Sequence, residues 1–507
     1  MEFPPGKSSK SPGHKPTNLL LDDLLRMGKL EMIELLWEIE PKMHRLLTES
    51  ETIQQARNNL FNYLNELERT YFNIYADHRL SELHDLEKNQ AKWCVRVFKN
   101  IIRSENEKLA HRSSLGLLWK IAHRQPRALS EVGEGFVMEM IFLSLGINGK
   151  FAVDRHETIP DLPTDTEQDA GVNRSMFLDR YAEQIHSYVS HYHCGLDEDV
   201  VRIHQEQRRK IMRHFGVGEA EWNDYQWQLN HIITHKDQIE QLVELTDSER
   251  EGLDLARRHN IPVQITPYYL SLFHPEAETA LDRAVRAQVL PSPQYVMSVV
   301  EAQASGKTMD FMGEASTSPI QGVTRRYVQI LILKPFDSCP QICVYCQRNW
   351  EIKELDDCRV NRADLENALD WIERNDSIEE VLVTGGDPLT LPDETLRWIL
   401  DRVAAMPHVQ RIRIGTRTPV TMPSRITDEL VEMLKSYQEW GRREICIITH
   451  FETGLEMTPE ALEALSKVRN AGISIYNQQV FTYYNSRKFE TFYLRKLLKR
   501  CGVDPYY

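Results

Sequence analysis

The chain has 507 residues, 41% hydrophobic and 27% charged, with 61 Lys+Arg against 75 Asp+Glu for a formal charge of -14. This is ordinary globular usage, which excludes a wholly disordered or fibrous polypeptide and corresponds to about three domains, or one large barrel with an added module. The acidic balance lacks the basic face of a phosphate-backbone binder and excludes nucleic acid as the main partner.

Residues 1–17, rich in Pro, Gly, Lys and Ser, are predicted to be disordered. They lack the apolar core of a secretory signal, so a cytoplasmic location is expected. Residues 18–218 read as a helical extension. Within it Ile53, Ala56, Leu60, Leu64, Leu67 and Tyr71 recur at steps of three and four and form one apolar stripe, which suits an intramolecular bundle better than a partner-binding coiled coil. The longest apolar run, Gly135 to Ile147, contains Glu139 and is too short to cross a bilayer, so no membrane partner is expected. Asp154 to Arg174 is polar, carries Pro160 and Pro163, and reads as a linker or long loop. His186, His191, His193 and Cys194 are grouped without a second paired set, so they read as solvated or core side chains and not as a metal site. Residues 219–325 form a helical lead-in, where Trp222 and Trp227 are expected to pack and Asn223 and Asp224 suit a helix start.

From 326 to 507 short apolar runs alternate with amphipathic helices. The predicted strands are Tyr327 to Leu333, Glu380 to Thr384, Val409 to Ile414, Glu444 to Thr449 and Ile473 to Phe481, with a sixth starting at Val503. Asn361 is placed to cap one intervening helix, Thr458 and Pro459 to open another that stops at Gly472, and Phe489 to Cys501 forms the last. The alternation predicts an α/β fold with a parallel sheet and right-handed crossovers, whose active site lies at the C-terminal ends of the strands. The chain stops at Tyr507 on an unfinished strand, and an open sheet edge there leads us to expect that the polypeptide continues.

Three of the eight cysteines fall in one loop after the first strand, Cys339-Pro-Gln-Ile-Cys343-Val-Tyr-Cys346. Three thiolates so close can converge on an iron-sulfur cube with one iron left open; the alternative is a zinc site completed by Cys358, and the place of the loop after a barrel strand, more than the spacing, favours the cube. The second strand ends in Thr384-Gly385-Gly386-Asp387-Pro388. Paired glycines permit close backbone approach and a carboxylate beside them can take a ligand ammonium group, although the same tetrapeptide also makes an ordinary turn.

With these motifs in order, the sequence resembles the radical S-adenosylmethionine (SAM) superfamily and, within it, the lysine 2,3-aminomutase family. The resemblance runs from about Glu219 to Tyr507. It covers Trp222 to Trp227, Ile265 to Leu272, Arg326-Tyr327, the cysteine loop, Thr384 to Leu389, Arg413 to Pro419, Thr449-His-Phe451, Ala471-Gly472, Asn477-Gln478 and Pro505 to Tyr507. It implies a partial (β/α)6 TIM-like radical SAM barrel preceded by the all-helical extension. It also implies a [4Fe-4S] cluster on Cys339, Cys343 and Cys346, with SAM on the fourth iron and cleaved after one-electron reduction to a 5′-deoxyadenosyl radical. The electron would come from a donor such as flavodoxin or ferredoxin. Gly385, Gly386 and Asp387 match the segment that receives the SAM methionyl end, and His450, Asn477 and Gln478 lie at later strand ends bordering that cofactor, with satisfied polar residues as their alternative role.

The family further implies pyridoxal phosphate (PLP), which holds the migrating amino group as an imine. Arg326 and Tyr327 match a pair associated with that cofactor, with an exposed basic turn at a strand start as their alternative, and Arg348 matches the arginine that grips the carboxylate of a small-molecule amino acid substrate, with compensation of cluster charge as its alternative. The PLP lysine and the acidic residues that select lysine lie, in the family, beyond Tyr507. Thr449-His-Phe-Glu-Thr-Gly454 and Phe481-Thr-Tyr-Tyr-Asn485 depart from the usual wording, which leaves the substrate's identity open. The expected reaction is 1,2 migration of an amino group, an isomerase activity. The rivals are a radical SAM enzyme of the same fold without mutase activity and a zinc-stabilised interaction protein. A homo-oligomer is compatible with this reading.

Overall fold

The computed structural model describes residues 24–72, 85–149 and 167–506, apart from the single positions 25, 111, 278, 280, 311 and 350. Residues 1–23, with the expected disordered start, and most of the expected linker lie outside them. The chain forms two compact units, Met1–Asp169 and Ala170–Tyr507.

In the first unit eight helices are described: α1 Lys29–Ile39, α2 Pro41–Thr48, α3 Ile53–Phe72, α4 Asp85–Ile101, α5 Ser104–Leu109, α6 Ser114–Ala122, α7 Pro126–Glu131 and α8 Glu134–Ile147. The predicted stripe of α3 is an internal seam: Ala56, Leu60, Leu64 and Tyr71 are buried and Ile53 and Leu67 pack against the same core. Its partners include Val95 and Phe98 of α4 and Ile141 and Leu145 of α8. Apolar residues three and four apart on each helix are thus buried by the other helices of the same bundle. Among the described residues no helix is long and apolar enough to cross a membrane.

The second unit opens with α9 Glu167–Val189 and α10 Glu198–Phe215. Helix α9 begins inside the stretch predicted as a loop, so residues 167–174 correct that expectation. Neither Pro160 nor Pro163 falls within it, and the helix starts past both breakers. The expected boundary between residues 218 and 219 is also not where contacts divide, because Cys194, Val200, Ile211 and Met212 lie in one core with the sheet. The amphipathic pattern of α10 showed that it must bury a face, not which core would receive it. Trp222 is buried in that core as expected, and the Asp224 side chain accepts from the Gln226 amide at 2.9 Å to start a short helix. The lead-in continues with α11 Asp247–Arg258 and α12 Pro293–Ala304.

The sheet follows, in the order β1 Val323–Thr324, β2 Ile330–Leu333, β3 Glu380–Val383, β4 Arg411–Gly415, β5 Glu444–Thr449, β6 Ser474–Asn477 and β7 Asp504–Pro505, each strand beside its sequence neighbour. β2 to β7 are parallel, and only β1, which sequence reasoning did not anticipate, runs antiparallel against β2. The connecting helices are α13 Arg362–Glu373, α14 Asp393–Ala405, α15 Asp428–Lys435, α16 Pro459–Asn470 and α17 Lys488–Arg500. Asn361 and Thr458 cap α13 and α16 as predicted, and Gly472 follows α16 at φ +82°. Six parallel strands linked by helices make the expected partial barrel.

Alternation along the strands sorts the side chains onto two faces. Leu333, Val383, Ile414, Ile447 and Ile475 share one register row and pack with the helices in the core. The other face carries Glu380, Arg411, Arg413, Glu444 and Cys446, a polar lumen in which Arg411 pairs with Glu444 at 2.6 Å and Glu380 at 3.3 Å. Lys334 and Thr384 continue this face at the C-terminal ends of β2 and β3.

Candidate active site

The cysteine loop leaves the C-terminal end of β2 and rests on the turn that ends β3. Gly386 donates its amide to the Phe336 carbonyl at 2.7 Å, and Asp387 donates to the Ser338 carbonyl at 3.0 Å. A Cβ on Gly386 would lie 2.1 Å from the Ser338 carbonyl oxygen, and one on Gly385, at φ +118°, would lie 2.9 Å from Lys334 Cβ. The close approach permitted by the glycine pair is therefore used between two segments of this chain. Asp387 is likewise used internally. Its carboxylate accepts from Thr416 Oγ1 at 2.7 and 2.9 Å, Thr418 Oγ1 at 2.9 Å, the Arg417 amide at 2.8 Å and the Leu389 amide at 3.0 Å. Burial leaves its pKa raised, and these donor contacts offset that only in part. With both oxygens occupied, Asp387 joins the β3 turn to the β4 loop and has no free lone pair directed at an ammonium group, contrary to the sequence expectation.

Cys346 Sγ accepts from the Arg348 amide at 3.4 Å, and Cys343 Sγ accepts from Arg417 Nη1 at 2.9 Å. Burial pushes the Cys339 thiol well up and that of Cys346 up to about 11, so metal binding there must displace protons. Among the described residues no three His, Cys, Asp or Glu side chains are gathered closely enough to hold an ion. That statement covers the cysteine loop as well as His186, His191, His193 and Cys194. Cys194 is buried, its thiol donating to Asp197 at 3.2 Å. Cys358 packs into the hydrophobic core and offers no fourth ligand. The donor set suits an anionic cluster with one open iron: three thiols on one loop at the barrel mouth, no fourth cysteine, and a buried guanidinium against one sulfur.

Arg417 was inside a matched motif but carried no predicted role. Its Nη2 meets Glu456 Oε1 at 2.6 Å and Tyr269 OH at 3.5 Å, its Nε donates to the His450 carbonyl at 3.2 Å, and its guanidinium lies 5.5 Å from the ring centroids of both Tyr269 and Tyr345. Glu456 is fully buried and also accepts from Tyr269 OH at 2.6 Å and from the Glu452 amide at 2.6 Å. An arginine in Arg413-Ile-Gly-Thr-Arg-Thr-Pro419 is visible in sequence, but its partners sit 39, 74 and 148 positions away.

Arg348 is buried and forked onto Glu314, with Nη2 to Oε1 at 2.9 Å and Nε to Oε2 at 3.0 Å. Lys334 lies 3.7 Å from the same carboxylate and also pairs with Glu351. This lumen tetrad was not predicted beyond Arg348, because Glu314 precedes the strand region and Lys334 follows β2 without a motif. Asn477 is buried and bonds the Phe451 backbone, its Oδ1 accepting at 2.6 Å and its Nδ2 donating at 3.0 Å. The Gln478 amide donates to the Thr449 carbonyl at 2.8 Å, tying β6 to β5.

Arg326 and Tyr327 are not brought to the cysteines. Val323 sits beside Leu333 and Thr324 beside Ile332, so β1 runs down against β2 and the connecting residues turn at the N-terminal end of β2. The cysteine loop leaves the opposite end. Arg326 donates to the Met312 carbonyl at 2.7 Å and Tyr327 is 59% exposed. The predicted strand Tyr327 to Leu333 already put this pair at a strand start and the cysteine loop past the strand's end, so its link to the cofactor rested on the family resemblance alone. PLP held at this pair would be on the other side of the sheet's length from the cysteine loop, so these two residues do not fit that cofactor at the cluster.

His450 Nδ1, Glu452 Oε1 and Tyr345 OH are buried at the same mouth without hydrogen-bond partners, with Nδ1 3.9 Å from Oε1. Burial lowers the His450 pKa to about 4 and pushes Glu452 up to about 8, against the pull of Arg417. Both are neutral in the folded chain near pH 6. Relative to the unfolded chain, Glu452 then retains a proton that is lost as pH rises through 8, and His450 lacks one that the unfolded chain takes up below about 6.5. The two slopes oppose each other between about pH 4.5 and 6.5; above that Glu452 acts, joined up to about pH 7 by Glu490, which burial raises to about 7. Stability measured by urea unfolding is therefore expected to fall from pH 6.5 to 8, and Glu452→Gln should flatten that limb. An unchanged limb in the variant would show that Glu452 is ionised throughout.

The radical SAM superfamily profile matches residues 333–493, which span β3 to β6 and both loops described above. Over 487 residues the chain is 40% identical to an uncharacterized KamA family protein of Methanocaldococcus jannaschii, covering 92% of this chain and 77% of that one. It is 38% identical over 303 residues to a glutamate 2,3-aminomutase of Clostridioides difficile, covering 60% of this chain and 68% of the relative. To an L-lysine 2,3-aminomutase of Bacillus subtilis it is 36% identical over 264 residues, 52% of this chain and 53% of that enzyme. With the cysteine loop on the glycine turn at the mouth of six parallel strands, these matches make the chain a member of the KamA family, that of the lysine 2,3-aminomutases, within the radical SAM superfamily.

Proposed function

We propose that the chain acts in the cytosol as a radical SAM amino acid 2,3-aminomutase, in which Cys339, Cys343 and Cys346 hold a [4Fe-4S] cluster reduced by a donor such as flavodoxin or ferredoxin. The observation that carries this reading is the loop of three thiols at the C-terminal end of the lumen, one of them bonded to a buried guanidinium, with Cys358 packed into the hydrophobic core. When bound, the reduced cluster and SAM supply a carbon-centred radical that removes a hydrogen atom from the substrate.

The chain's own residues bind, orient and exclude water. The Arg348 fork now holding Glu314 suits a substrate α-carboxylate, which would take the same two N–H groups in its place. Lys334, 3.7 Å from Glu314, would keep the displaced side chain paired. His450 Nδ1 and Glu452 Oε1, buried without hydrogen-bond partners while Glu452 Oε2 accepts from the Val480 amide at 2.7 Å, offer polar contacts at the mouth. Which amino acid is used stays open, since the relatives named act on glutamate and on lysine.

A second reading, a radical SAM enzyme of this fold that does not shift amino groups, is favoured by the position of Arg326 and Tyr327 at the far end of β2. A zinc-stabilised interaction protein is disfavoured by the burial of Cys358 in the core. Anaerobic reconstitution tests all three. The expected result is about four irons and four sulfides per chain, deoxyadenosine formed from SAM under reduction, and migration of the amino group of lysine or glutamate seen by NMR. Cys358→Ala should keep its iron. Stoichiometric zinc without sulfide would overturn the cluster, and deoxyadenosine without any rearranged amino acid would select the second reading.

A further inference from the structure

We infer that Arg417 sets the reduction potential of the cluster through its contact with Cys343, and that Glu456 and Tyr269 fix both its position and its effective charge. This rests on the cluster reading above and names a positioning residue within it. Four observations carry it. Arg417 Nη1 donates to Cys343 Sγ at 2.9 Å. Its side chain is 8% exposed, so water does little to screen the charge. Its guanidinium pairs with the Glu456 carboxylate, at 2.6 Å from Nη2. Its orientation is over-determined by Tyr269 and Tyr345 on either side, by the His450 carbonyl on Nε and by Asp387 on its own amide.

The physical consequence has a definite sign. Reduction adds one electron to a group already carrying negative thiolate charge. A guanidinium fixed beside one sulfur, donating to it, stabilises the added charge and raises the potential, as hydrogen bonds to cluster sulfurs generally do. The Glu456 carboxylate cancels part of that charge and pulls the potential down. Tyr269 OH, donating to Glu456 at 2.6 Å, draws density from the carboxylate and limits the cancellation. The two ionic partners therefore act in opposite directions on the same observable, which a merely structural bracket would not do.

The experiment is an EPR-monitored redox titration of the reconstituted full chain, with dithionite as the reductant and without SAM. Arg417→Gln should shift the midpoint to a more negative potential, Glu456→Gln to a more positive one, and Arg417→Lys should fall between wild type and Arg417→Gln because it keeps the charge and loses the fork. Should Arg417→Gln fail to assemble a cluster, Glu456→Gln, which keeps the shape of its side chain, still tests the sign. Midpoints equal to wild type at full cluster occupancy, or shifts of both residues in the same direction, would overturn the inference while leaving the cluster reading intact. A wild-type chain that assembles no cluster would instead overturn the reading on which it rests, and the inference with it.

Discussion

Gly386→Ala is expected to lose the cluster on reconstitution and to lower the unfolding free energy by about 3 kcal/mol, at the upper end of what overpacking costs. The added Cβ would sit 2.1 Å from the Ser338 carbonyl oxygen and 2.5 Å from its nitrogen, both backbone atoms with no rotamer to absorb the collision. The ribbon must separate, and with it go the bonds from the Gly386 and Asp387 amides to Phe336 and Ser338. Ser338 immediately precedes Cys339, so the displacement reaches a proposed ligand directly. Gly133→Ala is the matched control, since a Cβ there meets nothing within 4 Å. Iron content and urea unfolding of both variants check the prediction. Wild-type iron with wild-type stability in Gly386→Ala would mean that the cysteine loop moves freely over the turn and is not bedded on it.

Arg425→Ala should cost about 3–5 kcal/mol, the range for removing one partner of a buried charged network. Arg425 is fully buried. Its Nε donates to the Leu389 carbonyl at 2.8 Å and its Nη2 to that of Leu391 at 3.3 Å, it pairs with Asp393, and its guanidinium lies 4.6 Å from the Tyr225 ring centroid. Without it two carbonyls of the segment following the glycine turn lose their donors and a cavity opens beneath them. Asp393, 38% exposed, can be hydrated in the variant, so most of the cost comes from the carbonyls and the lost packing and not from the ion pair. Arg425→Met should recover part of the packing term and none of the hydrogen bonds. Denaturant unfolding of the three proteins separates the two terms, and a loss below about 1 kcal/mol in Arg425→Ala would show that water replaces the guanidinium without strain.

The local devices of the barrel were legible because each acts over a few residues. The caps at Asn361 and Thr458, the stop at Gly472, the apolar runs of β2 to β6 and the C-x3-C-x2-C loop all encode their effect within one turn or one strand. The same holds for the seam of α3, whose period marked an apolar face to be buried. What failed was longer in range. Helix α9 begins past the prolines that suggested a loop, and α10 packs with the sheet because only tertiary contact decides which core an amphipathic face joins.

The sequence by itself therefore determined the fold class, the family and the loop that carries the chemistry, since strand and helix periods and closely spaced thiols are local patterns. Only the tertiary structure decided how the site is built around them. Gly386 and Asp387 turned out to face the cysteine loop and the β4 loop, and Arg348 to fork onto Glu314. Arg417 gained its significance from Cys343, Glu456 and Tyr269, residues that a parallel sheet gathers at one mouth because every strand ends there. A hydrogen bond or an ion pair depends on distances of a few ångströms between side chains far apart in the chain, and no spacing along the sequence encodes such a distance.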